Sequence, residues 1–230
     1  MKRLVVLTGA GISAESGIRT FRDMGGLWEE YDVMEVASPE AWEKDPELVT
    51  RFYNERRKQL LEVKPNEGHR ALFEAEKFLD VRIVTQNVDD LHERAGSAHV
   101  LHLHGELKKA RSTGDPSYIV DVNGWELKLT DKCPKGHKLR PHIVWFGEAV
   151  PAISDAIQIV KTADFLAVVG TSLIVYPAAG LIDYAPRGAK VFLIDPNNVD
   201  ARTLRDVTFI KQPASTGVPK MISILKEIVQ

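Results

Sequence analysis

The residues best suited to chemistry fall in three clusters. Gly9-Ala10-Gly11-Ile12-Ser13-Ala14 follows the apolar run Arg3 to Thr8 and matches G-x-G-x-x-A. In such a turn, backbone N–H groups and a helix N-terminus can meet a pyrophosphate; the alternative is a glycine turn without function. Thr85-Gln86-Asn87-Val88-Asp89-Asp90 closes a second apolar run. Amides and carboxylates at the carboxyl end of a parallel strand are placed to hold a sugar or a carboxamide. Capping of a helix accounts for Asp89 or Asp90, but hardly for four polar residues in a row. Leu101-His102-Leu103-His104-Gly105 puts both histidines on one face of a short strand, with His104 at its end. A lone strand histidine is more often structural. Near a phosphate turn, however, an imidazole of unperturbed pKa about 6.5 suits general-base catalysis.

A fourth feature lies on a helix. Over Glu47 to Val63, residues Val49, Tyr53, Arg56 and Leu60 share one face at i, i+4, i+7 and i+11. This sets a guanidinium on a largely apolar stripe. Either Arg56 snorkels to water, or Tyr53 and Arg56 together bind a carboxylate, for which arginine offers a two-pronged donor fork.

The elements that must position these groups are legible as short apolar runs. Arg3 to Thr8, Asp80 to Thr85, Val100 to His104, Phe165 to Gly170 and Lys190 to Asp195 are rich in Val, Ile and Leu and lack polar alternation, as strands covered on both faces do. Helices are expected at Glu47 to Val63, at Glu67 to Leu79 capped by Asn66, and at Pro219 to Val229. Pro177 and Pro219 are expected at first helical positions. Strands alternating with helices define an α/β, Rossmann-like fold with a parallel sheet. Residues 20–64 hold no strand candidate and read as a helical insertion. Residues 106–140 read as a small β lobe with a hairpin around Asn123-Gly124, held by packing of Tyr118, Ile119, Trp125 and Leu127.

Composition excludes several classes. The 230 residues carry 30 Lys+Arg against 32 Asp+Glu, a formal net charge of -2 with no long run of either sign. A nucleic-acid carrier or polybasic membrane binder is not expected. The single cysteine, Cys133, forbids an intramolecular disulfide and a four-cysteine metal site. No apolar stretch approaches the roughly 18 residues of a membrane span, and the N-terminus lacks the shape of a signal peptide. The expected compartment is the cytoplasm. A dehydrogenase should carry a second strand ending in an acidic residue about 20 positions after the glycine turn; Arg19 to Trp28 is no strand. A G-x-S-x-G elbow is also missing.

Six motifs then converge. Gly9-Ala-Gly-Ile-Ser-Ala-Glu-Ser-Gly-Ile18, Thr20-Phe-Arg22, Gln86-Asn-Val-Asp89, His102-Leu-His-Gly105, Val144-Trp-Phe-Gly-Glu148 and Gly170-Thr-Ser-Leu173 occur in the order and approximate spacing of the sirtuins. The resemblance spans essentially the whole chain, and it implies one sirtuin-type catalytic domain, 1–230, acting as an NAD-dependent protein-lysine deacylase. By motif, His104 and Asn87 would be catalytic, with His104 taking a proton from the ribose hydroxyls. Gly9, Ala10, Gly11, Glu15, Thr20, Arg22 and Trp28 would hold the NAD diphosphate and ribose, and Phe21 would cover the reacting sugar face and hinder return of nicotinamide. Gln86, Asn87, Val88 and Asp89 would orient the nicotinamide end. Gly170, Thr171, Ser172, Asp195, Pro196, Asn197 and Ala214 would receive the adenosine. Val144, Phe146, Gly147 and Glu148 would flank the acyl-lysine, the peptide pairing as a strand between this loop and that near Val175.

Tyr53-x-x-Arg56 resembles the signature of the class III, bacterial-type sirtuins that remove succinyl, malonyl and glutaryl groups, and Ala37 resembles their small pocket residue. The resemblance therefore implies desuccinylase and demalonylase activity with deacetylation retained, yielding nicotinamide and O-acyl-ADP-ribose. The implied partners are acylated-lysine proteins or peptides, met by a monomer. An NAD or ADP-ribose binding module, or an ADP-ribosyltransferase, is the alternative. Most sirtuins also hold a structural zinc on two C-x-x-C pairs. Here only Cys133 matches; Ser112 and Gly136 stand where thiolates would fall. No zinc is expected, although Asp115, Cys133 and His137 would be the members of a mixed site.

Overall fold

The computed structural model describes residues 1–18, 32–171, 175–198 and 207–229. Thr20, Phe21, Arg22, Trp28 and Ser172, assigned above to NAD, lie outside these residues. Six parallel strands form the central sheet: β1 (Arg3–Thr8), β2 (Asp80–Thr85), β3 (Val100–His102), β7 (Phe165–Val169), β8 (Lys190–Ile194) and β9 (Val207–Ile210), in the order β3-β2-β1-β7-β8-β9. Successive side chains of a strand point to opposite faces. Leu4 and Val6 accordingly join one core with Leu72, Met221 and Leu225, and Val5 and Leu7 join another with Ala156, Val160 and Leu181. Unbroken apolar runs are what this two-sided burial demands.

The helices covering these faces are α5 (Glu67–Ala75) and α8 (Ala214–Val229) on one side, and α7 (Ile153–Val160) with a 3-10 helix (Ala178–Tyr184) on the other. Asn66 caps α5 as expected, accepting from Gly68 N at 2.9 Å. Pro219 is not at a helix start. Helix α8 begins a turn earlier, at Ala214, and Pro219 lies inside it. The Glu15 carboxylate accepts from both Ser215 N (2.9 Å) and Ser215 Oγ (2.7 Å), which satisfies an orphan first-turn donor and sets an anion at the helix N-terminus. Strand β3 stops at His102 because the chain turns at Gly105 (φ 81°) into a second sheet. Strand β9 is only four residues long, Val207-Thr-Phe-Ile210, and exposes Thr208 and Phe209, so it lacks the unbroken apolar run of a strand covered on both faces.

Within the helical insertion lie α2 (Val33–Val36), α3 (Pro39–Lys44) and α4 (Pro46–Glu62), started by Asp32, Ser38 and Asp45 side chains that accept first-turn N–H groups. The β lobe is the antiparallel sheet β5-β4-β6, from β4 (Gly105–Ser112), β5 (Ile119–Asp121) and β6 (Leu139–Ile143). Its hairpin turn runs from Ser112 to Tyr118, closed by Ser112 N to Tyr118 O at 3.0 Å, and not around Asn123-Gly124. Past Gly124 the backbone pairs with α4: Leu127 exchanges two 3.0 Å hydrogen bonds with the Asn54 side chain. The lobe's core is Ala110, Val122, Leu127, Cys133 and Leu139 with Tyr118 against it, whereas Ile119 and Trp125 are exposed. Trp125 instead meets Lys58 of α4, the ammonium 5.7 Å from the ring centre.

The carboxyl ends of β1 and β7 press together at glycines. Gly11 N donates to Gly170 O at 2.9 Å, and a Cβ on Gly11 would stand 2.6 Å from Gly170 Cα. Gly170 has φ 60°, and its Cβ would stand 2.5 Å from Ile12 N. The contact is backbone on backbone, so nothing can swing aside. Gly170→Ala should therefore lower unfolding stability by about 2 kcal/mol or more in denaturant titration. Gly188→Ala, where a Cβ meets open space, should stay within about 0.5 kcal/mol.

Candidate active site

The sequence-predicted polar residues gather at the carboxyl ends of β1, β2, β3, β7 and β8, the edge at which open parallel sheets bind ligands. The strand order reverses direction at β1, between β2 and β7, which opens the crevice there. One cleft at this edge is lined by Ala10, Ser13, Arg56, Gln86, Asn87 and Asp89.

The loop after β2 is fixed by buried hydrogen bonds. Asn87 N donates to Thr85 Oγ1 (3.0 Å), and Asn87 Nδ2 donates to Gly9 O (3.1 Å) and Ser13 Oγ (3.2 Å). Ser13 Oγ in turn donates to Asp89 Oδ2 (2.9 Å), so the loops after β1 and β2 share one network. Asp89 Oδ1 accepts from Leu91 N at 3.1 Å, which starts α6 (Leu91–Ala95). Asp89 thus satisfies the first N–H of that helix, whose N-cap residue is Asp90, and also lines the cleft. Burial raises its pKa, against the pull of the Leu91 and Ser13 hydrogen bonds. Gln86 Nε2 reaches Thr171 Oγ1 at 3.2 Å and ties this loop to the one after β7.

His104 Nδ1 stands 3.1 Å from Gln86 O. A carbonyl oxygen can only accept, so Nδ1 carries the proton and Nε2 keeps the lone pair that a general base needs. Burial lowers the His104 pKa, which favours this neutral form. His102 Nδ1 is 2.9 Å from Asn87 O in the same manner, and its Nε2 is 2.8 Å from Glu93 Oε1.

Beneath the loop lies a buried polar chain that no motif pointed to. Thr8 Oγ1 donates to Thr85 Oγ1 (2.8 Å) and lies 3.1 Å from His92 Nε2, and the His92 and His69 rings meet edge to face at 4.9 Å. The signal available was the recurrence of Thr8 and Thr85 at paired strand ends, register partners in the sheet.

The acyl-lysine candidates also converge. Val144 N donates to His104 O (2.9 Å) and Phe146 N to Ala37 O (3.0 Å), which joins that loop to the base and to the helical insertion. Phe146 is exposed and Gly147 has φ 90°. The Glu148 carboxylate is taken up internally, by Trp145 N (2.8 Å), Arg140 (2.7 Å) and Arg111 (2.9 Å). It therefore fixes the loop and does not reach out of it. Trp145 Nε1 donates to Tyr53 OH at 3.1 Å, and Arg140 lies over the Trp145 ring at 3.7 Å. Tyr53 and its stripe partners Val49 and Leu60 are buried. Arg56, on the same face, lines the cleft with Asn87 and lies 5.5 Å over the Phe52 ring. Its neighbour Arg57, unremarkable in the sequence, is fully buried and donates to Leu107 O, Asn54 Oδ1 and Trp125 O, with burial lowering its pKa to about 10.

At the end of β8, Asp195 is buried and accepts from Asn197 N at 2.8 Å, with Pro196 and Asn197 exposed. Ala214 is buried at the start of α8, and Val175 is half-buried. A glycine turn at β1, an amide and a carboxylate at β2, and a carboxylate at β8 suit a dinucleotide laid across the sheet edge: phosphates on backbone N–H groups, sugar hydroxyls on carboxylates. In the β lobe, Cys133 is buried and Ser112 Oγ lies 3.3 Å from its Sγ. Asp115 pairs with Lys135 at 2.8 Å, and the His137 ring packs on Gly114. Among the described residues no group of three or more His, Cys, Asp or Glu side chains is placed to hold a metal ion.

An α/β chain with a glycine turn, a polar cleft and a neutral histidine gathered at the carboxyl ends of its parallel strands is the class that the fold and site define. Residues 9–177 match the Sir2 family model, and the chain belongs to the Sir2 family. It is 57% identical over 230 residues to a Bacteroides thetaiotaomicron protein named NAD-dependent protein deacylase, covering 98% of each chain. A solved complex of a Sir2 homologue with NAD superposes with TM-score 0.88 at 39% identity, covering 100% of this chain and 91% of that one. A Sir2 complex with a deacetylated peptide and 3'-O-acetyl ADP-ribose superposes with TM-score 0.79 at 30% identity, covering 98% and 93%. The Rossmann-like fold and the use of NAD expected from the sequence agree with these likenesses.

Two measurements follow from the site. His69 is buried, and burial with Arg70 nearby pushes its pKa down to about 4; burial holds His92 well below its ordinary value too. Between about pH 6.5 and 4 the unfolded chain binds protons that the folded one refuses, so stability falls as pH falls through that window. The loss for His69 alone should be on the order of 2 kcal/mol between pH 7 and 4.5, read by denaturant titration at each pH. Separately, elemental analysis of purified protein should find zinc well below one equivalent, and stability should not change on adding a chelator.

Proposed function

We propose that this chain removes succinyl and malonyl groups, as well as acetyl, from lysine side chains of proteins, and that residues 1–230 act as one catalytic domain. The coarser activity is that of its relatives: it is an NAD-dependent protein deacylase. When bound, NAD would supply a ribose carbon that gives up nicotinamide and takes the acyl oxygen; with one water consumed as the amine leaves, the products would be free lysine and O-acyl-ADP-ribose. The chain's own groups do the rest. Asn87 and Asp89, locked by Ser13, hold the nicotinamide end in the cleft. Phe146 and the loop tied to Ala37 enclose the lysine and keep water away from the reacting centre. His104 Nε2 takes the proton of a ribose hydroxyl.

The observation that carries the acyl preference is the placement of Tyr53 and Arg56. Arg56 opens onto the same cleft as Asn87, and the Tyr53 oxygen accepts from Trp145 of the lysine loop, which leaves its own O–H to donate. Burial pushes the Tyr53 pKa up to about 12, against the opposing charge of Arg56, so that proton stays in place. A phenol and a guanidinium together offer a carboxylate-tipped acyl chain charge-assisted hydrogen bonds.

The reading predicts a selective loss. Arg56→Met should cut kcat/KM for a succinyl-lysine peptide by a factor of about 100, some 3 kcal/mol for a lost charge-assisted contact, and change that for the acetyl peptide by less than about threefold. Equal losses on both peptides would sink the acyl preference. His104→Ala should abolish turnover of every acyl peptide while NAD binding persists. ADP-ribose transferred to protein, in place of O-succinyl-ADP-ribose in solution, would overturn the deacylase reading.

A further inference from the structure

We infer that His102, paired with Glu93, is a positioning residue that clamps the Asn87 backbone, and that loss of charge on His102 sets the alkaline limit of turnover. Nδ1 of His102 is 2.9 Å from Asn87 O and Nε2 is 2.8 Å from Glu93 Oε1. A carbonyl and a carboxylate only accept, so both contacts are hydrogen bonds only when both nitrogens carry hydrogen, which is the imidazolium form. Its side chain is 8% exposed, against 40% for Glu93, so the charge sits inside and its partner faces water.

The surroundings support that state. Glu93 on α6, Glu106 on β4 and the Asn87 carbonyl all favour the charged ring, and their sum outweighs the burial that opposes it. Asp89 also faces it, as do His92 and His142, whose own pKa values burial lowers. His102 and His104 thus sit two residues apart on one chain face, each with Nδ1 on a carbonyl of the same loop, the first in the charged form and the second in the neutral one. The first is a fixed cation gripping the loop. The second is a neutral ring with Nε2 left for chemistry.

The grip matters because Asn87 also reaches Gly9 O and Ser13 Oγ through its side chain. Its peptide must hold its tilt for that amide to reach both. When His102 loses its proton, a bare Nε2 lone pair faces the Glu93 carboxylate. That repulsion loosens the ring and, through it, the loop. The acid limb of the pH profile then belongs to His104 gaining a proton, and the alkaline limb to His102 losing one. This inference rests on the roles proposed above for Asn87 and His104, and not on the acyl preference.

The test uses the whole protein with NAD and an acetyl-lysine peptide. Glu93→Gln keeps an acceptor but removes the charge, and should shift the alkaline limb of kcat/KM for NAD down by about one pH unit. At the pH where the unsubstituted protein is half-maximal, the variant should be about fivefold slower. The acid limb and the KM for peptide should stay within about twofold. His102→Gln keeps a donor for Asn87 O but cannot titrate, so its kcat should be lowered and the alkaline limb abolished. An alkaline limb unmoved in both variants, or a peptide KM that rises as much as that for NAD, would overturn the inference. If His104→Ala retains turnover, the underlying reading fails and the inference with it. If His104→Ala is inactive but neither variant moves the alkaline limb, the inference alone fails.

Discussion

The site depends on how closely the chain turns after β1 and β7 approach one another. Gly11 and Gly170 meet with no room for a Cβ on either, so the first turn cannot shift without the second. Gly9 O, held in that turn, accepts from Asn87, which is how the loop after β2 acquires its place. Ser13, one turn into α1 (Gly11–Ala14), then passes the constraint to Asp89. A close backbone contact thereby becomes the reference for three loops. It also explains why glycine is demanded at those positions by packing alone, whatever ligand the turn holds.

Much of this was legible in the residues. Two-sided burial leaves unbroken apolar runs, so five of the six central strands could be read directly, and the helical stripe of Val49, Tyr53, Arg56 and Leu60 was found as expected. What escaped was whatever lacked such a pattern. Edge strand β9 exposes half its residues. The hairpin was drawn to Asn123-Gly124 by turn chemistry, but a buried asparagine side chain on α4 captured the following backbone. Pro219 suggested a helix start, but Glu15, some 200 residues away, supplies one earlier. In the last two cases a long-range partner overrode a local preference, and single-residue propensities carry no information about such partners.

The candidate site divides along the same line. Motif residues that end strands, Asn87, Asp89 and His104, lie where strand-end reasoning puts them. The bonds that hold them, from Ser13, Thr85 and His102 with Glu93 behind it, are recognisable only once the strands are in register, since they run between loops. Glu148 is instructive in the other direction. It sits within a ligand-facing motif yet spends its carboxylate on Trp145 N and two arginines.

Arg57 has a further consequence. Its buried guanidinium bonds Leu107 O and Trp125 O of the β lobe from a helix of the insertion, beside the Asn54 contacts with Leu127. Insertion and lobe are thus riveted into one body that carries Arg56 on one side and the Trp145 loop on the other. The span between the group that would read an acyl tail and the loop that would seat its lysine is then a property of that rivet. Under the proposed acyl preference, acyl length would be gauged by that frame, and a chain too short or too long would meet the reader out of register however well its charge matched.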